Sequence, residues 1–230
     1  LDKKAVQSEL SSYIGKLFRD NFGKGPSAVF VSVEEPFVTI YLKDFLAPME
    51  RVLVGQKNDQ KVDETRDLLM QELIPDIKAN FRAVAGIEIE DLYYDWSLSH
   101  RTGMLIGVLD TEISGEQTIQ DHKGKEALHQ EVQKVSQQAE KAPESIRSFE
   151  LNDRTLIVER KGILVPIEKE MLRLGFSDQL RITKRHLEKR LLHLASFEQI
   201  LGTKLEDIFV DWDLVRDKSY IVLIKKPRDS

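Results

Sequence analysis

The sequence predicts an α+β fold: a tandem duplication of one α-β-β-α-α-β-β module, each copy a small, mostly antiparallel sheet with helices packed on one face. Three observations predict it. Gly86-Ile-Glu-Ile-Glu-Asp-Leu-Tyr-Tyr-Asp-Trp-Ser-Leu98 aligns without a gap on Gly202-Thr-Lys-Leu-Glu-Asp-Ile-Phe-Val-Asp-Trp-Asp-Leu214, with six identities in thirteen positions, where chance supplies about one. Leu46-Ala-Pro48-Met-Glu50 falls on Leu164-Val-Pro166-Ile-Glu168, and Phe81 on Phe197. In both halves, helical and alternating hydrophobic periods follow one another in the same order.

Each copy opens with an amphipathic helix, marked by Val6, Leu10, Ile14 and Leu17 in the first and by Leu128, Val132, Val135 and Ala139 in the second. The first helix stops at Asn21-Phe-Gly-Lys-Gly-Pro26, and Pro26 pairs with Pro143. Two strands follow in each copy, 28–33 with 37–42 and 145–151 with 154–159, joined through turn-forming residues. A short helix starts at Pro48 or Pro166, since proline suits the first helical position and the nearby Glu50 or Glu168 suits the helix dipole. Gly55 and Gly175 are set as its ends.

The long helix of copy one carries Leu69, Leu73, Ile77, Phe81 and Val84, with Pro75 expected to kink or split it. In copy two Leu187, Leu191, Leu194 and Leu201 predict an uninterrupted equivalent. Matching Gly55 to Gly175 moves the offset between copies from 118 to 120, and the phenylalanines return it to 116. A deletion of four residues, about one helical turn, is therefore expected inside that helix. A hairpin closes each module: 89–96 with 104–109, and 205–212 with 220–224. The boundaries are 1–112 for the first module, 113–124 for a Ser-, Gly- and Gln-containing linker, and 125–230 for the second.

With 41% hydrophobic and 32% charged residues, the 230-residue chain has the composition of a protein that buries a core. The absence of cysteine excludes disulfides, thiolate metal sites and thiol nucleophiles. Residues 1–112 carry a net charge of −6 and the remainder +1. This balance speaks against a duplex-DNA partner, which calls for a basic footprint. No apolar run reaches the roughly 20 residues that span a bilayer, and Leu1-Asp-Lys-Lys-Ala5 has no apolar signal region, so a cytoplasmic location is expected.

The familiar phosphate-loop, dinucleotide, serine-hydrolase and zinc-protease patterns are missing. No catalytic residue, metal ligand or cofactor is therefore assigned. The ligand-binding candidates are Gly23, Lys24, Gly25, Arg66, Asp95 and Asp211. Glycines permit close backbone approach and Lys24 adds charge, so Gly23–Pro26 could hold a phosphate or carboxylate; glycine after a helix is equally a cap. Asp95 and Asp211 precede the paired tryptophans. Alternation places them opposite the Trp face, where they either line a groove or seam, or accept turn amides. Arg66 could bind an anion, with an exposed ion pair as its structural alternative. The basic run Arg181, Lys184, Arg185, Lys189 and Arg190 reads as a solvated helix face, with RNA binding as the alternative.

Gly23-x-Gly-Pro, Leu46-x-Pro-x-Glu50, Val62-x-x-x-Arg66, Gly86 before an apolar strand and Asp95 before a closing hairpin resemble the MpsC family, over most of residues 5–110. The second copy is similar at Pro166, Glu168, Gly202 and Asp211, with Arg185 or His186 roughly replacing Arg66. The resemblance implies a cytoplasmic accessory protein of a membrane ion or bicarbonate uptake system, with no established chemistry to carry over. The leading expectation is a non-catalytic interaction module with a protein partner, a membrane transport complex or a homo-oligomer. The alternative is a sensor of a small anion or ligand; an enzyme and an RNA-binding protein rank below.

Overall fold

The computed structural model describes residues 3–109 and 122–227. The first nine residues of the expected linker, 113–121, lie outside the described residues. The chain divides into two compact units, 1–117 and 118–230, each with its own hydrophobic core.

The first module runs α1 (Lys3–Phe22), β1 (Ala28–Glu34), β2 (Phe37–Lys43), α2 (Pro48–Gly55), α3 (Asp59–Ala85), β3 (Ile89–Ser97) and β4 (Thr102–Leu109). The second runs α4 (Lys125–Ala139), β5 (Ser145–Asn152), β6 (Thr155–Lys161), α5 (Pro166–Arg173), α6 (Ser177–Leu194), α7 (Phe197–Leu201), β7 (Leu205–Asp213) and β8 (Lys218–Lys225). Both sheets have four antiparallel strands in the same order, β1-β2-β4-β3 and β5-β6-β8-β7. The duplication is thus visible in topology and register as well as in residue identity.

In each module two helices cover one face of the sheet. Leu10, Ile14 and Phe18 of α1, four residues apart, pack with Met70, Ile77 and Phe81 of α3 on the strand residues Ile40, Tyr94, Trp96 and Leu105. Gly23 ends α1 in the left-handed region (φ 72), donating its N–H to Arg19 O at 3.1 Å. The offset between copies falls from 118 at Phe22 and Glu140 to 117 at Ala28 and Ser145, as the pairing of Pro26 with Pro143 requires. A one-residue bulge between Glu150 and Asn152 restores the register.

Three expectations are corrected. First, α3 runs unbroken through Pro75. The proline is exposed, and the carbonyl its missing N–H leaves unbonded belongs to exposed Gln71, which water can satisfy. Second, Gly55 does not match Gly175. Gly55 is the last residue of α2, whereas Lys57 (φ 57) takes the left-handed turn that Gly175 (φ 86) takes in the second copy. The offset therefore stays at 118 into α6, and the deletion is of two residues, not four. Third, the second copy's long helix is broken: Ala195 is extended (φ −73, ψ 155) and α7 restarts at Phe197. Losing two residues from a continuous helix would turn everything downstream by about 200°. A break lets Phe197 return to the buried place that Phe81 holds. The buried stripe of α6 is consequently Leu180, Lys184, Glu188 and Leu192, while Leu194 is exposed.

Candidate functional site

Glu50 and Arg66 form a buried centre in the first module. Pro48 starts α2, which places Glu50 in its first turn, where the carboxylate accepts the N–H of Ala47 at 2.7 Å. Arg66, about two turns into α3 and fully buried, donates Nε to Glu50 Oε1 and Nη2 to Glu50 Oε2, both at 2.7 Å, and Nη2 also to Phe45 O at 3.1 Å. Its guanidinium carbon stands 4.6 Å from the centre of the Phe45 ring and 4.7 Å from that of Trp96. Phe18 and Phe22 pack on Phe45 with ring centres 5.2 and 5.0 Å away. A planar, weakly hydrated guanidinium suits such an aromatic cage. Among the described residues Arg66 Nη1 has no hydrogen-bond partner. The expectation of an exposed ion pair at Arg66 is corrected: the pair ties α2 and the loop before it to α3 in the interior.

The 118-residue offset puts Lys184, rather than Arg185 or His186, in the place of Arg66. Glu168 repeats the role of Glu50, accepting the N–H of Val165 at 2.9 Å and the Lys184 ammonium at 2.9 Å. The cage around it has been exchanged. Where the first module has Phe18, Phe22, Leu42, Met70 and Gly103, the second has Ser136, Glu140, Arg160, Glu188 and Ser219. Lys184 pairs with Glu140 and lies 3.7 Å from Glu188. Arg160 pairs with Glu188 and donates to Ser219 Oγ at 2.7 Å and Ser136 Oγ at 2.9 Å. Trp212 Nε1 donates to Glu188 Oε1 at 2.7 Å. Lys184 keeps a ring beside it, its ammonium 5.7 Å from the centre of Trp212. Its other neighbours are oxygens that suit a compact three-donor ammonium, so an arginine in an aromatic cage has become a lysine among carboxylates. Burial first, then the Glu188 charge, pushes Glu140 up to about 9 against the pull of Lys184. Burial also pushes Glu188 upward, but the Arg160 and Lys184 charges outweigh it and hold that carboxyl below its ordinary value.

This pattern belongs to one family. Its model, described as Na+-translocating membrane potential-generating system (MpsC), matches residues 2–111 and again 120–226. The chain belongs to the MpsC family. The Bacillus subtilis (strain 168) uncharacterized protein YbcI is 28% identical over 102 residues, covering 44% of this chain and 81% of YbcI. No solved structure matches.

The other sequence candidates are dispersed over the two MpsC modules. Gly23 caps α1, and Lys24 pairs with Asp44 at 3.3 Å. Gly25 lets its loop pass against α1: a Cβ there would stand 3.0 Å from Gly15 O and 3.1 Å from Arg19 Cβ. Beside this loop, α1 and β1 flank an open groove of 380 Å³ lined in part by Ser8, Ser11, Lys16, Arg19 and Ser27. Asp95 is 1% exposed and accepts the backbone N–H of Trp96 at 2.8 Å. Asp211 is 2% exposed and pairs with Arg181, which also donates to Trp212 O at 3.1 Å. The first module has Asp63 where Arg181 stands, so that clamp belongs to the second MpsC module alone. Lys184 and Arg185 are buried, which corrects the reading of 181–190 as one solvated basic face.

Sequence reasoning missed Glu140, Arg160 and Glu188. The signal was present as charged residues aligned on Phe22, Leu42 and Met70. Ser148 was missed as well: its hydroxyl lies 2.7 Å from His122 Nε2 and 2.8 Å from His129 Nε2. Ser148 is fully buried, and burial holds His129 below its ordinary value, so this group bonds β5 to α4 rather than facing a substrate. Among the described residues no group of three or more His, Cys, Asp or Glu side chains is placed to hold a metal ion.

Proposed function

We propose that this protein is a non-catalytic cytoplasmic accessory or regulatory subunit that docks on a membrane ion-transport complex. The observation that carries the reading is a repeated exposed apolar position. Met49, 75% exposed, and Ile167, 67% exposed, both follow the proline that opens the short helix. Val52, three residues further along the same helix, is exposed in the first module, and Leu174 and Phe176 are exposed at and just after the end of α5 in the second. The copies diverged elsewhere in charge and interior chemistry, yet both kept an apolar side chain in water here, as a binding surface requires. The family description supplies the membrane system. No helix among the described residues is long and apolar enough to cross a membrane, so docking is the role considered for the described part of the chain.

The test is capture by the tagged chain from crosslinked bacterial membranes. Transport-complex subunits recovered by the wild type and lost with Met49→Asp/Ile167→Asp support the reading. Capture that is unaffected by the double substitution, or that yields only chaperones, refutes it.

One observation favours a second reading, a small-anion sensor. Lys16 and Arg19 face the α1–β1 groove beside Ser8, Ser11 and Ser27. The second module has Gln137 where Arg19 stands and Glu126 where Ser8 stands, so this site would belong to the first module. A ligand that binds only the folded chain raises its melting temperature. Millimolar phosphate, bicarbonate and nucleotides should raise it in the wild type and not in Lys16→Ala/Arg19→Ala; a flat response excludes the reading.

A further inference from the structure

The long helices α3 and α6 hold the same place in their modules, and their outward stripes match position for position at an offset of 118. The stripe of α3 is Thr65, Leu68, Glu72, Asp76 and Ala79; that of α6 is Thr183, His186, Arg190 and Leu194, and all of these are exposed. Spacings of three and four residues set each series on one side of its helix. Each stripe keeps a large apolar side chain in water, Leu68 at 65% exposure and Leu194 at 79%.

The two stripes carry opposite charge. On α3 the nearby cations are committed: Lys61 pairs with Glu64 at 3.7 Å, and Lys78 donates to Glu90 O at 2.5 Å. Glu72 and Asp76 therefore set the sign there. On α6 the acid Glu188 is fully buried and paired with Arg160, and Asp178 lies about three turns from Arg190. Arg181 is committed to Asp211, and Lys184 and Arg185 are buried. The outward charge of α6 is thus Arg190, with His186 and His193 about one turn away on either side.

Set antiparallel, the stripes fit each other. With Glu72 against Arg190, Leu68 falls on Leu194, Asp76 on His186 and Ala79 on Thr183. Apolar meets apolar, acid meets base, and small meets small. Set parallel in the same register, Leu68 would meet His186 and Asp76 would meet Leu194, so the sequence selects the direction as well. Like on like would set Glu72 against Glu72 or Arg190 against Arg190, which disfavours a pairing of identical faces.

We infer that this protein self-associates head to tail, the α3 stripe of one copy packing antiparallel on the α6 stripe of a second copy. Each chain carries both halves of the contact. The assembly closes where two copies exchange both faces and otherwise extends copy by copy. The charge difference between the modules then has a use, since it makes equivalent helix faces complementary instead of identical. This inference goes beyond the docking reading and uses neither Met49 nor Ile167.

The experiment is sedimentation velocity of the full chain from micromolar to millimolar concentration, with two charge-reversal variants. The wild type should form a dimer or a longer head-to-tail species that grows with concentration. Glu72→Arg alone sets arginine against Arg190, and Arg190→Glu alone sets glutamate against Glu72. Each should weaken association by more than about tenfold. Mixed in equal amounts, the two variants place opposite charges at both contacts again, and the mixture should associate as the wild type does. Both sites are exposed, so melting temperatures should stay close to that of the wild type, and rescue in the mixture shows that both variants are folded. Met49→Asp/Ile167→Asp should associate normally, which separates failure here from failure of the docking reading. A chain that stays monomeric throughout, single variants that associate like the wild type, or a mixture that does not associate would each overturn the inference. So would loss of association in Met49→Asp/Ile167→Asp, or RNA bound through Arg190 by a monomeric chain.

Discussion

Replacing Arg66 by methionine leaves Glu50 buried beside Phe45 with no cation to neutralise it. Breaking a buried pair from one side costs about 3–5 kcal/mol, and urea denaturation should show a loss of that size. Arg66→Lys keeps the charge but gives up the two-point carboxylate contact and the stacking on Phe45 and Trp96, for a loss of about 2 kcal/mol. The second module tolerates lysine at this position because Glu140 and Glu188 join Glu168 around Lys184. Their proximity sets a pH dependence. With Glu140 raised to about 9, stability should fall as pH rises from the ordinary carboxylate range toward 9. The fall attributable to one proton is about 1.4 kcal/mol per pH unit. Subtracting the Glu140→Gln profile from the wild-type profile isolates it, and identical profiles would contradict the assignment. The residues of this corner were legible only in part. Glu50 and Glu168 stood out as helix-starting acids, whereas Lys184 read as part of a solvated basic helix face, because a sequence does not show which charged residues have partners waiting in the interior.

At the scale of elements, the hydrophobic period placed every strand and most helix ends within a residue or two. It failed in the long helix, and for opposite reasons in the two copies. Pro75 was expected to kink or split α3; it does not split it, because its ring and the carbonyl it leaves unbonded face water, while Leu73, Ile77 and Phe81 hold both sides of the helix on the sheet. Relief of the proline should still be measurable: Pro75→Ala is expected to raise stability by about 1–3 kcal/mol, read as a higher melting temperature. The second copy's helix breaks without any proline, because two missing residues cannot be absorbed in phase with Phe197. The closing hairpin makes a further prediction. In β4 a Cβ on Gly103 would lie 2.5 Å from the Trp96 ring, whereas the second copy carries Ser219 there, hydrogen-bonded to Arg160. Gly103→Ala should cost about 1–3 kcal/mol by overpacking. A neutral result would mean that the Trp96 ring shifts freely.

At the scale of the whole molecule, the duplication gives the chain two modules of one topology and two interior chemistries. Met49 and Ile167 are exposed, so Met49→Asp/Ile167→Asp should change unfolding stability by no more than about 0.5 kcal/mol per site. The same substitution should abolish capture of the membrane partner; a loss of fold would show instead that these side chains serve stability. The sequence by itself determined the repeat, the α+β topology, the family and the positions of Glu50, Arg66, Asp95 and Asp211, because apolar period, turn residues and spacing are local properties of the chain. Only the tertiary structure decided that Arg66 is caged by aromatic rings, that Lys184 takes its place, and that Glu140, Glu168 and Glu188 gather around Lys184. Those contacts join residues distant along the chain, and burial, which folding alone supplies, turns charges that look ordinary into a buried ion pair in one module and a buried ion-pair cluster in the other.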